Sequence, residues 1–192
     1  MSGRRGGPNI LLALARVARG RADGMALFPG TTQGFLASLA PLIGFPVALA
    51  ILMLMGGGGL RAVVGLLGTL CALLVPPVVS FELARLWRRQ AAWLRFATAF
   101  NWCQWVVLLV GVVVMMVVMT LASAGGAAAA GLNRAADAGL IIIVAYGLWL
   151  HWFLGRHGLQ VSRLRAALLV VCVNLGTALV VIGPRLLLLE RA

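Results

Sequence analysis

AFNWCQWVVLLVGVVVMMVVMTLA, residues 99–122, carries no charged side chain and exceeds the about 20 helical residues that cross a hydrocarbon core of about 30 Å. Its two amide side chains, Asn101 and Gln104, stand three apart near its beginning, and the remainder of the run is almost entirely Val, Leu, Met and Gly. Such a run is expected to span a membrane as a helix. Working outward, four more runs meet the same condition, near 34–55, 60–84, 138–155 and 165–188.

Composition agrees with the runs. The chain has 192 residues, 62% hydrophobic and 10% charged, with a mean hydropathy of +1.06. Ordinary soluble domains are about 45–50% apolar and about 25% charged. A water-soluble core cannot hide so much apolar surface, so the bilayer must solvate most of the chain. The expected fold class is therefore all-α, a polytopic transmembrane helical bundle of five spans. It divides into a basic N-terminal segment (1–33), the five-span domain (34–188) and a short C-terminal tail (189–192).

Orientation follows from the arginines, which number sixteen, there being no lysine, and which against four carboxylates give the net charge of +12. The N-terminal segment holds Arg4, Arg5, Arg16, Arg19 and Arg21, the connection between spans two and three Arg85, Arg88, Arg89 and Arg95, and that between spans four and five Arg156, Arg163 and Arg165. The opposite side receives only Arg61, Arg134, Arg185 and Arg191. Basic residues concentrate on the cytoplasmic face of membrane proteins, so this alternation predicts a cytoplasmic N-terminus and an outer C-terminus. Arginines dispersed between apolar runs argue against nucleic acid as a partner.

Within the N-terminal segment, Arg16 cuts the apolar stretch too short for a cleaved signal peptide. A helix from about Asn9 would gather Ile10, Leu11, Leu14 and Val17 opposite Arg16 and Arg19, and is expected to lie in the interface. Residues 56–59 read as a tight glycine turn and 123–136 as an Ala/Gly-rich loop. Pro76 and Pro77 are expected to break the hydrogen-bond ladder of the second span, leaving carbonyls that need partners from a neighbouring helix or water.

The polar residues concentrate toward the cytoplasmic half. Asn101, Gln104, His151 and Asn174 form a candidate buried cluster, either glue between helices or the lining of a cytoplasm-facing pocket. All six tryptophans lie on that half. Arg85, Arg88, Arg89, Arg95, Arg163 and Arg165, with Trp87 and Trp93, make a candidate surface for anionic lipid or an acidic partner. Gly65, Gly68 and Ala72 form a small-residue stripe suited to close helix packing. Glu82 is expected to pair with Arg85 or Arg89 rather than relay protons.

Metal chemistry is not expected. His151 and His157 are six residues apart, about 240° around a helix, and neither has a Cys or carboxylate at i+3 or i+4. Cys71, Cys103 and Cys172 each sit in an apolar run and read as small hydrophobes. Hydrolase, phosphate-loop, zinc-protease and dinucleotide fingerprints are absent from the sequence. No cofactor and no enzymatic activity are expected.

Tyr146-Gly147-Leu148-Trp149-Leu150 and Arg156-His157-Gly158-Leu159-Gln160-Val161-Ser162-Arg163-Leu164-Arg165-Ala166, set in this five-span layout, resemble the bacterial branch of the Yip (Ypt-interacting protein) family. There a Trp-containing fourth span, a short connection of this kind and a fifth apolar span close the domain. The likeness in layout covers residues 30–188. Phe28-Pro29-Gly30-Thr31-Thr32 stands where eukaryotic members carry an Asp-Leu-Tyr-Gly-Pro type motif, so Rab-type GTPase binding is not implied. The resemblance implies a non-enzymatic protein of the bacterial inner membrane that organises anionic lipids or partner proteins through its cytoplasmic face. Two other readings stay open: a small transporter or channel around Gln104 and Asn174, and an accessory subunit or homo-oligomer packed through Gly65 and Gly68.

Overall fold

The computed structural model describes residues 9–125 and 129–189. Arg4 and Arg5 at one end, and Glu190 and Arg191 at the other, lie outside them. In chain order come α1 (Ile10–Ala18), a 3-10 helix (Ala22–Leu27), α2 (Thr32–Met55), α3 (Gly59–Leu86), α4 (Gln90–Ala124), α5 (Ala129–Gly158) and α6 (Arg163–Leu189). The described residues contain no strand, and α2 to α6 are the five helices long and apolar enough to cross a bilayer.

Local chemistry sets the helix boundaries. The Asn9 side chain accepts from Leu12 N–H at 3.1 Å, and Thr31 Oγ1 accepts from Gly34 N–H at 3.1 Å, so α1 and α2 both start on side-chain caps. Between α2 and α3, Gly57 (φ 85°) and Gly59 (φ 47°) occupy the left-handed region that a tight reversal demands, as expected of residues 56–59.

Pro76 and Pro77 sit inside α3, which continues through both as helix. In a membrane, helices tolerate proline because neighbouring groups and local adjustment compensate the lost donors; the carbonyls that Pro76 and Pro77 leave free are those four residues back, on Ala72 and Leu73. The expected loop at 123–136 is mostly helix, since α5 already begins at Ala129, in keeping with the high helix propensity of alanine. And α4 starts at Gln90, so Trp93 and Arg95 belong to the helix and not to a connection.

α3, α4, α5 and α6 form a ring in which each touches the next, and α2 lies in the outer groove between α3 and α4. Close approach is carried by glycines other than those expected. A Cβ at Gly176 of α6 would come within 2.9 Å of Val75 Cγ1 on α3, and one at Gly155 of α5 within 3.3 Å of Leu169 on α6. Gly65 and Gly68 have no other atom within 4 Å of where a Cβ would stand, and Ala72 is only half-buried. Their packing role within the chain is therefore corrected: no helix closes tightly onto the stripe.

The main buried core lies in one half. Phe96, Phe100 and Cys103 of α4, Leu150 and Leu154 of α5, Leu169 of α6 and Ala84 of α3 are buried together, at the end where the arginine-rich connections lie. At the opposite end Met55, Leu60 and Leu121 are largely exposed, as lipid-facing side chains would be. At the arginine end the N-terminal segment folds back over the bundle, inserting Ala13, Val17, Met25 and Phe28 into the same core. The buried face of α1 is thus Ile10, Ala13, Leu14 and Val17, while Leu11 is 80% exposed. The expected face, which included Leu11 where Ala13 is found, is off by about a tenth of a turn because α1 packs on protein, where small Ala13 permits close approach.

Candidate functional site

Three segments distant in sequence meet at the arginine end around a groove of about 480 Å³. The 3-10 helix and Gly30 form one wall (Ala22, Met25, Ala26), the last residue before α4 and its first turns a second (Arg89, Ala92, Arg95), and the end of α5 a third (His157, Gly158, Gln160). Arg88 completes the rim. α4 has 35 residues, about 52 Å of helix against about 30 Å of hydrocarbon, so its first turns can stand at the membrane surface.

Helix termination builds two corners of the groove. Four helices end with a backbone N–H reaching back five residues: Arg21 to Arg16 O (2.9 Å), Gly58 to Met53 O (2.7 Å), Arg89 to Ala84 O (2.7 Å) and Val161 to Arg156 O (3.2 Å). This closure requires a left-handed residue just before the donor. Gly20 (φ 73°) and Gly57 (φ 85°) fill that position in the first two, but Arg88 (φ 57°) and Gln160 (φ 53°) fill it in the others. Both non-glycine exceptions line the groove.

The groove is cationic and without a counter-charge. No carboxylate lines it, and the Arg88, Arg89 and Arg95 side chains enter no ion pair or side-chain hydrogen bond among the described residues. The nearby carboxylate in sequence, Asp23, is already taken by Arg21 Nη2 at 3.0 Å and Arg16 Nη1 at 3.1 Å. The hydrogen bonds from Arg21, with the charges of Arg21 and Arg16, hold the Asp23 carboxyl below the usual carboxylate range. The Arg95 side chain lies across Gly30, where a Cβ would stand 3.6 Å from Nε. His157 rests on Phe153 with ring centroids 4.5 Å apart.

The other expected surface residues divide. Arg165 sits over the Trp87 ring at 6.0 Å, so these two come together, and neither lines the groove. Arg85 is drawn to Glu82 at 3.7 Å, an exposed i,i+3 pair. Arg163 is exposed and its carbonyl accepts from Trp152 Nε1 at 3.1 Å. Trp93 is corrected from surface to structure: its Nε1 donates to Ser80 Oγ at 3.1 Å, and its ring lies between Phe35 and Phe81 at 5.3 and 5.0 Å.

The buried polar cluster resolves into two pairs and an outlier. Asn101 Nδ2 donates to Ser38 Oγ of α2 at 3.0 Å. Gln104 Nε2 faces His151 Nε2 of α5 at 3.5 Å, with Phe100 against the imidazole at 4.6 Å. Asn174 is exposed and donates to Val170 O of its own helix at 2.8 Å, so it belongs to no cluster. A pocket shared by Gln104 and Asn174 is thereby excluded, because the apolar hollow beside Asn174 lies between α5 and α6 while that beside Gln104 lies among α2, α3 and α4.

No group of three or more His, Cys, Asp or Glu suited to a metal occurs among the described residues. Sequence reasoning missed Gly30, Met25 and Gln160 as parts of a site, and treated His157 only as a failed metal ligand. The short connections at 87–89 and 159–162 place Arg88 and Gln160 at one end of the bundle, but nothing in the sequence reveals that residues 22–30 close over them. Comparison of the chain with protein-family models, curated proteins and solved structures finds no match.

Proposed function

We propose that this chain is a non-enzymatic, multi-pass protein of a bacterial cytoplasmic membrane that gathers anionic lipids at its arginine end, that end facing the cytoplasm, in the manner of the Yip-like proteins it resembles. The observation that carries the reading is the convergence of Arg88, Arg89 and Arg95 on one groove without a carboxylate partner among the described residues. Clustered cations without internal counter-charges call for external ones, and arginine forks suit phosphate oxygens. Orientation by arginine counting requires basic residues on this side, but it does not require them to share a groove.

Lipid retention in mild detergent tests the proposal. Native mass spectrometry of the purified chain should show preferential retention of anionic over zwitterionic lipid, weakening with salt because exposed charges are screened over about 10 Å at 0.1 M. Replacing Arg88, Arg89 and Arg95 with glutamine should loosen retention by about 1 kcal/mol per charge with unchanged thermal stability. Equal retention of zwitterionic and anionic lipid by the unaltered protein would overturn the reading.

A further inference from the structure

The construction of the groove narrows the ligand further, and this step rests on the lipid-gathering reading above. A left-handed conformation is strained for a residue that carries a Cβ, and glycine avoids that strain. The same chain shows that glycine serves this closure, at Gly20 and Gly57. At the two ends that border the groove, the strained position instead carries Arg88 and Gln160, long side chains able to donate hydrogen bonds. Strain of this kind gathers where a side chain has work that its backbone does not favour. Arg89 and Arg95 add two more guanidinium groups, and with no carboxylate lining the groove among the described residues, three positive charges are left to be met from outside.

The geometry points to a discrete site for one phosphomonoester group, clamped by Arg88, Arg89 and Arg95 with Gln160 at its edge. A phosphomonoester carries up to two negative charges and three terminal oxygens, enough to engage several guanidinium forks at once. A phosphodiester has one charge and two such oxygens, and a carboxylate is equally limited. The groove volume of about 480 Å³ lies within the range of about 300–1,000 Å³ for small-molecule sites, larger than one arginine pairing with one headgroup needs. Its place beside the first turns of α4 admits a lipid whose headgroup ends in phosphate, while its opening also admits a soluble phosphate ester. The phosphate chemistry is common to both sources.

The test compares phosphatidic acid, a monoester, with phosphatidylglycerol, a diester, against the full chain in detergent by native mass spectrometry, at matched total lipid charge. Phosphatidic acid should bind about tenfold more tightly, and R88Q/R89Q/R95Q should abolish that preference. R85Q/R163Q/R165Q removes the same charge outside the groove and should keep it. Gly30→Val, which crowds Arg95 without altering charge, should weaken the monoester selectively. Glycerol 3-phosphate, titrated alone and as competitor, separates the sources: displacement of phosphatidic acid by it would support the site and mark a soluble ester as sufficient, whereas no displacement alongside preserved lipid preference would support the site and assign it to a lipid. Equal binding of the two lipids, both above a zwitterionic control, would overturn the discrete site and leave the broader lipid reading standing. Binding of neither above that control would overturn both. A monoester preference that R85Q/R163Q/R165Q reduced as much as R88Q/R89Q/R95Q would also overturn the site, since the charge would then act from anywhere on that face.

Discussion

Gly176 and Gly65 are chemically identical and both stand within apolar spans, yet they should respond oppositely to added bulk. Gly176→Leu forces atoms into Val75 and should destabilise the α3–α6 contact by about 1–3 kcal/mol. Gly65→Ala and Gly68→Ala meet open space and should leave thermal unfolding in detergent within about 0.5 kcal/mol of the unaltered chain, or slightly above it. The two asparagines make a second contrast. Asn101→Leu breaks a bond between α4 and α2 and should cost about 1 kcal/mol, while Asn174→Leu, whose amide bonds only its own helix, should cost less than about half of that. Equal losses at both positions would mean that Asn174 meets a partner helix after all.

At the level of elements, the N-terminal cap is held by its ion pairs and by Tyr146, whose hydroxyl donates to Ala18 O at 3.2 Å. Asp23 gives the cap a definite pH dependence. Its folded pKa lies below the ordinary value of 3.8, so its contribution is complete above that value and is lost as pH falls through the lower folded value. Hydrogen exchange of the α1 amides should therefore be flat from neutral pH down to about 5, once corrected for intrinsic rates, and should rise only below the ordinary carboxylate range; a rise already near pH 6 would assign the effect to another group. The spans themselves were legible because membrane insertion is written in composition and length, and α2 to α6 lie within a few residues of where hydropathy places them, apart from the early starts of α4 and α5. The helix partners were not. In lipid the inward and outward faces are both apolar, so no periodicity distinguishes Gly176, which packs, from Gly65, which does not. α1 shows the intermediate case, its amphipathic pattern visible but its buried face displaced by a neighbour that the pattern cannot name. The groove was invisible for a plainer reason: it joins residues 22–30, 88–95 and 157–160, and only folding makes them one place.

For the whole molecule, the arrangement of the arginines is the ground of the proposed orientation across the membrane. A membrane-impermeant thiol reagent applied to intact cells should fail to label a cysteine placed at residue 90 or 160 and should label one placed at residue 57, in the connection at the other end; the reverse pattern would invert the proposed orientation. The uneven core carries a consequence for how such a chain is made. Its packed half draws at once on α1, α3, α4, α5 and α6, and α3 finds one of its neighbours only in the last helix. As synthesis proceeds from the N-terminus, the earlier helices are made before the one that completes their core, so the arginine end can close only once α6 has joined them. A chain cut short before α6 would carry the earlier spans and yet remain unfinished, exposing the surfaces that α6 conceals.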